Sequence, residues 1–171
     1  MVKRDYREIE KGNYEKGGIE MSLNSREEKD AYFMQLSMLV AKGSGCLSRQ
    51  VGAVIVSPED RVIATGFNDA PVGITPCCMR GSCLRQGCSV GENLQECFAV
   101  HAELSAILQC CKYGINCQYC KIYVTTYPCA SCMKAIIESG IREVIYLQDY
   151  NSPLTEILAR EAGVLLRKYE N

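Results

Sequence analysis

From Val51 onward the apolar residues fall in an order that leaves few folds open. "VGAVIVSPEDRVIATGFN", Val51 to Asn68, is two β-branched runs flanking a short Pro-Glu-Asp turn, the pattern of a β-hairpin. Helix and strand patterns then alternate. "VHAELSAILQCCKYG" has helical periodicity and stops at Gly114, "KIYVTT" reads as a strand, "CASCMKAIIESG" as a helix stopped at Gly140, and "EVIYL" as a strand. "SPLTEILAREAG" carries Ser152 at the N-cap, Pro153 at N1 and Gly163 as its stop, and "VLL" from Val164 offers a last short strand. Upstream, "SREE" at Ser25 to Glu28 fits a capping box. Behind it Tyr32, Phe33, Leu36, Leu39 and Val40 recur at helical spacing, with Gly43 as the stop. A hairpin followed by such alternation predicts a mixed five-stranded sheet with helices on both faces, a three-layer α/β/α class.

Two segments stand outside that order. Residues 1–24 are polar and weakly periodic and read as a solvated arm, leaving 25–171 as one domain. Asp69 to Cys97 is rich in Gly, Cys and Ser and has no clear period; a loop of that length inside a domain is usually functional. Lys plus Arg (19) and Asp plus Glu (20) nearly cancel, which weighs against a polynucleotide partner. Twelve cysteines would suit a secreted disulfide scaffold, but the charged N-terminus "MVKRDYREIEKGNYEKG" has no apolar signal core. No run reaches the roughly 18 apolar residues of a membrane span. The expectation is therefore a reduced, cytoplasmic setting, no membrane partner, and thiols that bind metal or pack as small hydrophobes.

The chain owns one histidine, His101, and it opens the first of the alternating helices. Cys129 and Cys132 open the next, in "PCASC". A lone histidine is ordinarily packed or on the surface, and a lone Cys-x-x-Cys has redox and structural-metal readings. Together they are a stronger signal. Thiolates at a helix start are favoured by unpaired N–H groups and the helix dipole. Three protein ligands with a fourth position open is the catalytic zinc pattern, and a zinc-bound water has a pKa near 7. Glu103, two residues past His101, can approach such a water without ligating and act as general base, then acid. His-x-Glu followed by Pro-Cys-x-x-Cys is the signature of zinc deaminases.

At these residues the chain resembles the cytidine and deoxycytidylate deaminase superfamily, and within it the deoxycytidylate (dCMP) branch. The resemblance spans roughly Lys29 to Leu166 and includes "RQVGAVIV" (Arg49 to Val56), "ATGFNDAPVG" (Ala64 to Gly73) and "GENLQECFAVHAE" (Gly91 to Glu103). It implies a cytidine-deaminase-like fold, with zinc held by His101, Cys129 and Cys132 and protons shuttled by Glu103. It implies attack of hydroxide on cytosine C4, with dUMP and ammonia as products. Asn68 would hydrogen-bond the sugar, Ala102 would contact the substrate, and Arg49 would be the leading phosphate contact, ahead of Arg80 and Arg85.

The same resemblance implies a homo-oligomer, commonly a hexamer, and effectors such as dCTP or dTTP, with Mg2+ accompanying the nucleotide. Two residues depart from the family pattern there: Ser105 stands where an Asn is usual, and Asp69 where a Gly follows Gly66, Phe67 and Asn68. Some relatives carry a structural zinc near the long loop, for which Cys77, Cys78, Cys83, Cys88 and Cys97 are the candidates. A four-thiolate site would pin a loop too long to order itself. Cys110, Cys111, Cys117 and Cys120 read as packing residues. Two rivals stay open: a tRNA adenosine deaminase or other nucleobase deaminase, and a non-catalytic zinc module for DNA uptake or protein interaction.

Overall fold

The computed structural model describes residues 23–89, 92–93 and 96–170, so the arm expected over 1–24 lies almost wholly outside it. Ser25 and Glu28 form the capping box ahead of α1 (Arg26–Ala41), each side chain bonding the other's backbone N–H. The hairpin runs become β1 (Gly52–Val56) and β2 (Val62–Phe67), antiparallel, with Ala53 opposite Gly66. Their turn places Asp60 at φ 59, a left-handed conformation that Asp tolerates. The long loop is not wholly irregular: it holds one short helix, α2 (Cys77–Arg80), ended by Gly81 at φ 69.

The alternating half follows as α3 (Ala102–Tyr113), β3 (Lys121–Thr126), α4 (Ala130–Glu138), β4 (Glu143–Gln148), α5 (Pro153–Ala162) and β5 (Leu165–Lys168). β3 pairs antiparallel with β1 and parallel with β4, and β4 pairs parallel with β5. The sheet order is β2-β1-β3-β4-β5, mixed and five-stranded as expected. The last strand starts at Leu165, because the Val164 N–H is still engaged in closing α5, donating to the Ala159 carbonyl at 2.9 Å.

Every residue of β1 is buried, since helices cover both faces. On one face Phe33 and Met34 of α1 pack on Val54, Val56, Tyr123 and Ile145. On the other, Ala53, Ile55, Ile122, Val124 and Val144 meet Ala106 and Cys110 of α3, Met133 and Ile136 of α4, and Ala159 of α5. Beneath α1 lies an ionic web that runs from the buried Asp30 out to the exposed Arg26. Tyr123 donates to Asp30 at 2.8 Å, Arg167 bridges Asp30 (2.7 Å) and Glu143 (2.8 Å), and Arg26 reaches Glu143 at 2.6 Å. No helix among the described residues is long and apolar enough to cross a membrane.

One close approach sets where α3 begins. A Cβ on Gly66 would sit 2.3 Å from the Ala102 carbonyl oxygen and 2.4 Å from the Ala106 nitrogen, so α3 rests its backbone directly on β2. Gln109 adds a tie by accepting the Thr65 N–H at 2.8 Å on the edge strand. Gly66→Ala must push the helix off the sheet. It is expected to destabilise by about 2–3 kcal/mol, as overpacking does, read as a lower denaturation midpoint at unchanged slope.

Candidate metal centre

His101 is the N-cap of α3 and Cys129 the N-cap of α4. Both have extended backbone (φ -67, ψ 153 and φ -72, ψ 164), and neither side chain caps its own helix. N-caps are usually Ser, Thr, Asp or Asn, which turn back on the helix. Here the two side chains turn toward each other instead. Cys132, in the first turn of α4, completes the group, and the three ligand atoms lie within 4.8 Å of one another. Among the described residues it is the one such group of three.

The distances test a metal. The His101 Nδ1 is 3.5 Å from the Cys129 sulfur and 3.4 Å from that of Cys132. Zinc–nitrogen and zinc–sulfur bonds at tetrahedral angles separate N from S by about 3.6 Å. One imidazole and two thiolates therefore fit zinc, with a fourth corner left for a small ligand. Glu103, on the first turn of α3, is only 4% exposed. Burial pushes its carboxyl above the usual carboxylate range, against its own backbone N–H, His101 and the Cys132 thiol, which favour the charged form.

The thiols share one negative charge unequally. Hydrogen bonding from Cys132, then from His101 and the Cys132 N–H, outweighs burial and holds Cys129 at about 4. Its partner moves the other way: the bond to Cys129, burial and the Glu103 charge all push the Cys132 thiol up. His101 is raised, chiefly by its bond to Cys129. The group thus holds one thiolate, on Cys129, and a divalent cation bound there would displace the proton of Cys132.

An open cavity reaches this group, and Asn68, Arg49 and Ala102 line it as the sequence suggests. The Asn68 amide is largely spent on structure: Oδ1 accepts the Val51 N–H at 2.7 Å and Nδ2 donates to the Arg49 carbonyl at 2.8 Å. One Nδ2 hydrogen remains for a ligand. Arg80 is turned away, stacked 4.3 Å from the Phe98 ring centroid. Tyr127 and Tyr150 also line the cavity, and no pattern in the sequence marks either.

The loop cysteines divide. Cys77 is buried, and its thiol is pushed up by burial and by the nearby thiols of Cys83, Cys46 and Cys97. Cys78 is exposed, and Cys88 accepts from Asn93 at 3.6 Å. Nothing in the sequence marks Cys46, which lies between α1 and β1 and arrives through Gly45, whose carbonyl accepts the Cys78 N–H at 3.0 Å. Cys110, Cys117 and Cys120 are in the core as expected, but Cys111 points outward and is no packing residue. Burial pushes Cys110 up to about 12 and Cys120 to about 11.

Residues 27–148 match the family model of the cytidine and deoxycytidylate deaminase zinc-binding region. The chain belongs to this family. It is 40% identical to the deoxycytidylate deaminase of Schizosaccharomyces pombe over 84% of its own length, although it spans only 45% of that protein. It is 40% identical to ComE operon protein 2 of Bacillus subtilis, covering 81% of this chain and 70% of that one. The dCMP deaminase of cyanophage S-TIM5, solved with dCMP and dUMP, superposes with a TM-score of 0.70 at 29% identity, covering 84% and 98% of the two chains.

Cys132→Ser is expected to remove about one equivalent of zinc per chain from protein purified without chelators, as measured by elemental analysis. Full retention of zinc would place the bound ion elsewhere.

Proposed function

We propose that this chain is a zinc-dependent deaminase that converts dCMP and water to dUMP and ammonia, supplying dUMP for thymidylate synthesis. The observation that carries the reading is the convergence of His101, Cys129 and Cys132 beside a buried Glu103 at an open cavity. His101, Cys129 and Cys132 would hold the zinc. When bound it would supply a water acidic enough to give up a proton near neutral pH. Glu103 takes that proton and passes it to cytosine N3, then takes the remaining proton of the hydroxyl added at C4 and delivers it to the departing amine as the C4 carbonyl forms. Burial raises the pKa of Glu103, which favours the protonated form that donates to the leaving amine. Asn68 offers its spare amide hydrogen to the sugar, Ala102 lines the base, and Arg49 offers its charge to the phosphate. The named relatives support the substrate: the S. pombe protein and the phage structure are both deoxycytidylate deaminases.

A second, structural zinc belongs to the same reading, with Cys77, Cys78, Cys83, Cys88 and Cys97 as its candidates and Cys46 close to Cys77. Such an ion pins the long loop against the α1–β1 connection. Effector binding finds less support. Asp69 accepts the Gly45 N–H at 3.3 Å and the Ala70 N–H at 2.8 Å, so its carboxylate occupies donors that a phosphate of dCTP or dTTP, with its Mg2+, would need at this turn. A homo-oligomer, hexameric by the family resemblance, would cover exposed apolar side chains such as Leu39, Val72, Met79 and Leu84. A reducing cytoplasm would keep the twelve thiols free.

Purified protein incubated with dCMP, dCTP, cytidine and guanine, followed by ultraviolet absorbance, is expected to convert dCMP best; turnover of another compound beside an inert dCMP would overturn the substrate. Glu103→Gln is expected to lower kcat by at least about 10²–10⁴-fold with zinc content near wild type. Loss of zinc in that variant would make Glu103 a ligand. Cys83→Ser is expected to remove the structural equivalent, seen as about one zinc fewer per chain and a lower melting temperature.

A further inference from the structure

The dCMP reading leaves open how the charged end of the substrate is told from a bare nucleoside, and the cavity offers two guanidiniums for that task. Its charged lining is Arg49, Arg85, His101 and Glu103, and the last two belong to the metal centre. Arg49 is exposed, and among the described residues no hydrogen bond or ion pair holds its guanidinium, only its carbonyl being engaged. Arg85 is different. It is half-buried, and its Nε donates to the Glu92 carbonyl at 2.9 Å, fixing the plane of the fork. Its terminal nitrogens have no partner among the described residues. It is near enough to His101 for its charge to disfavour protonation of the imidazole.

The backbone under Arg85 is held as well. The Gln86 N–H donates to the Cys83 carbonyl at 3.0 Å, and the Cys88 N–H donates to the Arg85 carbonyl at 3.1 Å. Cys83 in turn lies near the buried Cys77 and helps push its thiol up. A fork fixed before binding loses less freedom on meeting an anion than a free one, and guanidinium matches phosphate oxygens two at a time.

Resting on the dCMP reading, we infer that Arg85 binds the 5′-phosphate of the substrate and sets the preference for a nucleoside monophosphate over the nucleoside. The cysteine-rich loop thereby becomes a specificity element that carries a charge to the cavity, and Arg49 adds a looser second contact.

The test compares kcat/KM for dCMP and for deoxycytidine in wild type, Arg85→Gln, Arg85→Lys and Arg49→Gln. Arg85→Gln is expected to lower the dCMP-to-deoxycytidine ratio by about 10–100-fold, as loss of a charged hydrogen bond does, through a higher KM for dCMP. Arg85→Lys should restore part of it, and Arg49→Gln should cost less. A merely structural arginine would depress both substrates together and leave the ratio where it was, which would overturn the inference. So would a wild-type ratio near one, or Arg49→Gln taking the larger fall. A wild type that converts neither compound would overturn the dCMP reading itself and this inference with it.

Discussion

The site exists because two helix N-termini are brought to one point with non-capping residues in the cap positions. An extended N-cap backbone aims its side chain away from the helix unless a hydroxyl or carboxylate turns back. His101 and Cys129 cannot do what Ser or Asp would, so their donor atoms remain available across the gap between α3 and α4. Cys132, one turn on, shares that point because the first turn of α4 folds over its own cap. The N–H groups left uncapped then favour thiolate charge. Gly66 matters for the same reason as His101. The first fixes how closely α3 lies on the sheet, and the second is the residue that this distance puts in place.

Much of this could be read in the residues themselves, and the reason is locality. Capping boxes, glycine stops and alternating β-branched runs are decisions made over a few residues, and Ser25, Gly114 and Gly163 hold the places their chemistry predicts. The metal group is legible because each of its halves is a short motif at a helix start. The long loop is the opposite case. Its cysteines are sorted by contacts between distant segments, so that Cys46, 31 residues before Cys77, stands near that buried thiol while adjacent Cys78 faces solvent. Arg80 and Arg85 look alike in sequence. Only the packing of Phe98 against one and the Glu92 carbonyl against the other separates them.

The two thiol groups respond oppositely to the same burial. At the metal centre an imidazole, a neighbouring thiol and an N–H outweigh desolvation and hold Cys129 charged at about 4. Around Cys77 there is no comparable set of donors; burial and three neighbouring thiols all favour the neutral form. A metal binding the first group meets a thiolate already present and a geometry fixed by two helices and a sheet. A metal at the second would have to displace the proton that burial and neighbouring thiols hold on Cys77. The first group is thus shaped by the fold around two helix starts, whereas the thiols of the loop are placed by contacts between distant segments.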